Sequence, residues 1–146
     1  QELGAIASSY LINLVAPAVL SNHFMKHYKS HSAKKVILSV SSGASQAPIE
    51  GWATYCSSKA GLEMLDACIS IEHKDILNLS IAPGKVDTPM QNDVRFADEK
   101  EFPRLNEFQE YHKNGQLTPV QEVAAKYSAI LDTPDKYLHI KHLSQL

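Results

Sequence analysis

Cysteine, net charge and unbroken apolar stretches are all in short supply in this 146-residue chain, and each shortage excludes something. Its two cysteines, Cys56 and Cys68, fit no metal-ligand spacing and cannot staple a small disulfide scaffold; reduced thiols in a cytoplasmic protein are the plain expectation. Neither sign of charge dominates. Fourteen basic residues against 16 acidic ones leave a formal charge of −2, which gives no electrostatic case for nucleic acid or an anionic membrane as partner. The longest strongly apolar run, Leu11 to Leu20, is interrupted by Asn13 and Pro17 and falls far short of the ~20 residues that span a bilayer. No signal peptide is visible, and the chain opens on Gln1 rather than Met, so its natural start is left open. What remains is an ordinary globular composition, 44% hydrophobic, with enough apolar content for one core.

Apolar residues from Leu3 to Tyr28 recur at helical spacing and predict a long first helix, with Pro17 expected to bend it or break its hydrogen-bond ladder. Val36 to Val40 and Ile76 to Ala82 are short β-branched or apolar runs closed by Ser/Gly and Pro-Gly, the pattern of buried strands. Between them a second helix is expected from about Trp52 to His73. Asp87 to Gly115 turns polar and irregular, long enough for a functional lid. Thr118-Pro119 then predicts a capped helix start, running to about Leu131, and Tyr137 to Ile140 a last short strand. Strands alternating with helices imply a parallel sheet built of βαβ units, with about three strands and three main helices in one domain.

The chemistry concentrates between Gly51 and Gly61. Tyr55 and Lys59, four residues apart on a helix, share a face and can line one cleft. A phenol has an intrinsic pKa of ~10, and a cation held beside it favours the phenolate, bringing it towards useful acid/base range. Spacing alone is weak: Tyr137 and Lys141 share it in a stretch with no other catalytic sign. The company of Tyr55 and Lys59 carries more weight. Ser42 lies thirteen residues before Tyr55 at the end of a strand, Asn13 sits in the first helix, and Pro83-Gly84-Lys85-Val86-Asp87-Thr88 follows the second strand.

With those residues in that order, the chain resembles the short-chain dehydrogenases/reductases, and within them a fungal sepiapterin-reductase-like branch that includes benzil reductases. The resemblance implies a Rossmann-like doubly wound α/β fold and hydride transfer between a nicotinamide and a carbonyl. It implies a catalytic set of Asn13, Ser42, Tyr55 and Lys59. Tyr55 is the general acid/base, Ser42 holds the substrate oxygen, Lys59 also bonds the nicotinamide ribose, and Asn13 holds a water behind Lys59. Tyr55, Lys59, Pro83, Gly84, Val86 and Thr88 are the implied cofactor-binding residues, with NADP(H) favoured over NAD(H) by that branch. The implied partners are a small-molecule carbonyl substrate and a second subunit packed on the helices of Asn13 and Tyr55. Ser41, beside Ser42, is the residue most easily mistaken for it.

Family members run to about 250 residues and begin with a strand and a Gly-rich Thr-Gly-x-x-x-Gly-x-Gly turn, where glycines let the backbone approach the pyrophosphate. Residues 1–146 hold no such turn and so read as the C-terminal, catalytic part of one dinucleotide-binding domain. The strand Val36 to Val40 is then expected to expose an apolar edge, and the chain alone to be marginal, aggregation-prone and weak for dinucleotide. A competing reading is a truncated, non-catalytic relic that mediates only subunit association. A serine hydrolase reading fails for want of a Gly-x-Ser-x-Gly elbow. His23, His27 and His31 invite a metal, but the outer two lie ~12 Å apart along a helix, too far for one ion with bonds of ~2 Å; a solvated helix end is expected.

Overall fold

The structure, a computed structural model, describes residues 2–100 and 102–146. Its first 25-residue helix, Leu3–His27, is built of α1 (Leu3–Tyr10), a π-helical turn (Leu11–Val15) and α2 (Ala16–His27). Pro17 has no N–H to return to the preceding turn, and the ladder absorbs the loss by widening rather than breaking. The Ala16 N–H reaches back five residues to the Leu11 carbonyl. By length and composition the whole helix is long and apolar enough to cross a membrane, which the shorter run Leu11 to Leu20 understates. Here it packs on α3 (Ala53–Glu72). Gly61 makes the approach possible, since Leu14 Cδ2 stands 3.0 Å from where a Cβ would be. Tyr10 and Ser57 hydroxyls bond across the contact at 2.6 Å.

α3 is the crossover of a βαβ unit. β1 (Lys35–Val40) and β2 (Ile76–Ile81) pair in parallel, register running from Lys35 against Ile76 to Val40 against Ile81. One face of this sheet is apolar. Leu79 and Ile81 pack with Val123 and Ile130 of α6 (Val120–Asp132) and with Ile140 and Leu143 of the C-terminal segment. The opposite face, towards α3, is polar. Asp66 is 4% exposed there, taking a 3.0 Å bond from Ser39 Oγ on one oxygen, while its Oδ2, Asn78 Oδ1 and Ser80 Oγ are buried without partners.

Burial holds the Asp66 carboxyl above its usual range, against the weaker opposing pull of Ser39, Ser80 and Asn78. The folded protein therefore keeps this proton to higher pH than the unfolded chain does. Stability contributed by Asp66 is present below its unfolded pKa and lost as pH rises through the folded one. Asp66→Asn, which adds an N–H donor beside two orphaned acceptors, is expected to raise Tm by a few degrees at neutral pH. The gain should shrink as pH falls towards the unfolded aspartate value of about 4. Thermal melts of both proteins across that range check the sign.

Three expectations need correction. Tyr137 to Ile140 is no strand: a 3₁₀ turn occupies Pro134–Tyr137, and strand-like pairing slips to a single parallel bridge between Ala82 and His142. The sheet thus has two strands among the described residues, not three. Pro134 at the head of the turn favours this outcome, because its fixed φ suits a tight turn and its missing N–H cannot serve a ladder. The polar stretch after Asp87 is also more regular than it reads, with two short helices, α4 (Pro89–Arg95) and α5 (Leu105–Lys113). Phe102, Leu105 and Phe108 bury together there and give the stretch a core of its own. Finally, Pro119 and not Thr118 caps α6; the Thr118 backbone is drawn off to pair with Lys85 and Asp87.

β1 pairs only with β2, so its other edge is open among the described residues. A groove of about 440 Å³ runs along that edge beneath the first helix, lined by Ile12, Leu20, Phe24, Ile37 and Leu38.

Candidate active site

Two strand ends and one helix start build the site. Where β1 stops, Ser41 continues the pairing, its N–H donating to the Ile81 carbonyl at 3.0 Å. Its side chain is 2% exposed and donates to Glu63 Oε1 at 2.5 Å; Ser45 donates to the same oxygen at 2.6 Å. Glu63 so ties the loop after β1 to α3, and Ser41 is spent on structure. Ser42 is the less committed of the two. Its Oγ accepts the Ala44 N–H at 3.2 Å, opening the turn Gly43–Ser45, and that bond leaves its own proton to donate elsewhere.

Tyr55 and Lys59 stand on the first turns of α3, on one face, with the Lys59 Nζ 6.0 Å from the centroid of the Tyr55 ring. Lys59 Nζ donates to the Val40 carbonyl at 2.9 Å, which fixes its long side chain across the end of β1. Burial pushes its pKa down from the usual lysine value. An edge contact with Trp52, centroids 5.6 Å apart, seats the Tyr55 ring.

Past β2 the backbone turns at Gly84, whose φ of +83° lies in the left-handed region that glycine adopts without penalty. The segment is then clamped to Thr118. Thr118 N–H donates to the Lys85 carbonyl at 2.8 Å, and Asp87 N–H to the Thr118 carbonyl at 2.9 Å. Thr88 opens α4 without spending its hydroxyl on a cap.

One cavity of about 640 Å³ brings together Ser42, Tyr55, Lys59, Pro83, Gly84, Val86 and Thr88. Asn13 is not among them. It lines the neighbouring groove beside β1, which Lys59 also borders, and its amide donates to Ser58 at 3.2 Å and Ser9 at 3.4 Å. Three of the four expected catalytic side chains therefore share a cavity, and the fourth faces it only through Lys59.

The outer wall is aromatic. Trp52 stacks on Phe102 at 5.0 Å and touches Phe108 at 5.3 Å, while Lys85 Nζ lies 3.3 Å from the centre of the Tyr111 ring. Tyr111 is held in turn by Glu107, at 2.9 Å, which Arg104 grips with two nitrogens. Trp52 thus both packs and lines the pocket. Sequence reasoning missed Glu63, Ser45 and the tail residue His142, which also borders the cavity. Glu63 carries a trace of signal, as an acid four residues after Lys59 on the helix face of Tyr55; His142 carries none.

A parallel βαβ unit with serine, tyrosine and lysine gathered at its strand ends is a partial Rossmann-like α/β fold. The chain belongs to the short-chain dehydrogenase family, an oxidoreductase family whose model matches residues 2–99. Among curated relatives it is 34% identical over 135 residues to a benzil reductase ((S)-benzoin forming) of Bacillus subtilis, covering 90% of this chain and 56% of that protein. It is 30% identical to the sepiapterin reductase of Xenopus tropicalis, covering 91% of this chain and 51% of the relative. In three dimensions it matches the crystal structure of the KRED1-Pglu enzyme with a TM-score of 0.82 at 32% identity, over 88% of this chain and 54% of the other. The chain spans about half the length of the curated relatives it matches.

Proposed function

We propose that this chain carries the catalytic residues of a nicotinamide-dependent carbonyl reductase acting on small ketones, with aryl diketones of the benzil type as preferred substrates. One observation carries the reading: Ser42, Tyr55 and Lys59 border the same cavity as the Pro83–Thr88 segment, under an aromatic wall. Reduction needs a proton at the carbonyl oxygen as hydride reaches its carbon. Tyr55 O–H supplies that proton, Ser42 donates a hydrogen bond to the same oxygen, and the Lys59 ammonium offsets charge left on the phenol. Asn13 serves at one remove, on the far side of Lys59.

The residues present fit the nicotinamide end of a dinucleotide. Gly84 keeps its turn free of a Cβ, the Val86 backbone and the Thr88 hydroxyl offer polar contacts, and Lys59 reaches the ribose side. When bound, the dinucleotide supplies the hydride; NADPH is favoured over NADH, on the strength of the sepiapterin reductase likeness. Among the described residues no glycine-rich turn is available for the pyrophosphate, so the isolated chain is expected to bind NADPH weakly, above micromolar Kd by calorimetry.

The test is a fusion of this chain to the part of the Bacillus subtilis benzil reductase that it does not cover. Consumption of NADPH in the presence of benzil supports the reading. A folded fusion that binds NADPH yet leaves benzil unreduced favours the other reading, a non-catalytic chain that only associates. The exposure of Leu11, Ile12 and Leu20 on the first helix and Met64 and Ile71 on α3 suits that second reading.

A further inference from the structure

The C-terminal segment brings a histidine to the wall of the candidate cavity, beside Gly84. His142 is half-buried and borders the cavity that holds Ser42 and Tyr55. Its ring is anchored from several sides. Ser144 N–H donates to Nδ1 at 3.0 Å and the Ser144 hydroxyl lies 2.7 Å from the same nitrogen. Gln145 Oε1 accepts the backbone N–H groups of His142 at 2.9 Å and Lys141 at 2.7 Å, completing a capping box around the last turn. The ring lies against Gly84, its Cε1 3.3 Å from where a Cβ would stand.

These contacts fix the tautomer. A backbone amide can only donate, so Nδ1 is an acceptor and the neutral ring carries its proton on Nε2. That N–H has no protein acceptor among the described residues. The carbonyl being reduced engages Ser42 and Tyr55. Of the other polar side chains on the wall, Arg104 and Tyr111 are bonded to Glu107 and Lys85 lies over the Tyr111 ring, with Gln91 at the edge. Ile49, Trp52 and Phe108 make up an apolar part of it. A substrate with a single oxygen leaves the imidazole donor unused; a substrate with a second oxygen satisfies it.

We propose that His142 is a specificity residue that hydrogen-bonds the second oxygen of a vicinal diketone through Nε2–H, so that the site selects diketones over matched monoketones. This rests on the carbonyl-reductase reading above and adds a residue and a selection rule to it.

Benzil and deoxybenzoin differ only by a carbonyl replaced with a methylene, and Trp52, the chain's single tryptophan, stands in the cavity wall as a reporter. Titration of the 146-residue chain with each ketone, followed by Trp52 fluorescence, is expected to show benzil binding about tenfold tighter, the worth of one good hydrogen bond. His142→Leu should erase that preference while changing deoxybenzoin affinity less than twofold, and His142→Gln, which keeps an N–H donor, should restore part of it. In parallel, the His142 Nε2 resonance should move on adding benzil and stay still with deoxybenzoin. A preference that survives in His142→Leu, or an Nε2 resonance that ignores benzil, overturns the assignment and leaves the carbonyl-reductase reading standing. If neither ketone saturably perturbs Trp52, either in the 146-residue chain or in the NADPH-loaded fusion, the cavity is not a ketone site and both readings fall.

Discussion

Tyr55→Phe, made in the fusion that supplies the rest of the fold, will lower kcat/KM for benzil by about three orders of magnitude, within the 10²–10⁴ range of general acid/base catalysis. The substitution removes one oxygen and leaves the ring. Its seat against Trp52 and its position on α3 depend on that ring, so substrate Kd should stay within about twofold. The loss therefore belongs to kcat, which is how an interaction made only in the transition state shows itself. Ser42→Ala should cost less, on the order of a hundredfold, as the loss of one donor to the developing oxyanion. Ser41→Ala provides the discriminating control. Because Ser41 spends its hydroxyl on Glu63, its loss should appear in thermal stability and hardly in kcat. Steady-state kinetics on the three variants decide the matter. A Tyr55→Phe enzyme retaining a tenth or more of its activity would remove the proposed acid from the mechanism.

How far the sequence announced this arrangement differs from residue to residue, and the differences have physical causes. Local pattern sufficed where one segment buries one face. β1, α3 and β2 fall within a residue or so of their expected bounds, because strand and helix periods and the Pro-Gly stop are all encoded nearby. The serine, tyrosine and lysine were legible for a different reason: their spacing resembles a family pattern. What stayed hidden was set at long range. The helices α4 and α5 form because Phe102, Leu105 and Phe108 find Trp52 and Ile49 from distant segments, and no windowed periodicity reports that meeting. Thr118 looked like a cap until the backbone on either side of Val86, at Lys85 and Asp87, claimed it. His142 has no landmark near it in the linear chain, yet the bridge to Ala82 sets its ring beside Gly84. Asn13 lies outside the cavity, in the groove behind it that Lys59 also borders, and the packing of the first helix on α3 sets its amide against Ser58.

Ile130→Ala is expected to be the most damaging single change to the fold itself. Among the described residues Ile130 and Ile81 are the two large side chains with no exposure at all, and they meet in the cluster that joins α6 and the C-terminal segment to the apolar face of the sheet. Truncating a fully buried isoleucine costs about 2–5 kcal/mol, from the lost transfer energy and the cavity left behind. A domain with a total stability of about 5–15 kcal/mol can ill absorb that, and here the sheet that must hold has only two strands among the described residues. Urea unfolding should show the midpoint falling steeply for Ile130→Ala, modestly for Ile130→Val at about 1 kcal/mol, and within about 0.5 kcal/mol of wild type for Leu3→Ala, whose side chain is 82% exposed. The loss should also reach the site. Ala82 accepts from Leu143 and donates to Lys141, so loosening α6 frees the segment that carries His142. At a temperature where Ile130→Ala is still mostly folded, its preference for benzil over deoxybenzoin should weaken before its affinity for deoxybenzoin does. Equal destabilisation by Ile130→Ala and Leu3→Ala would mean that the core lies elsewhere.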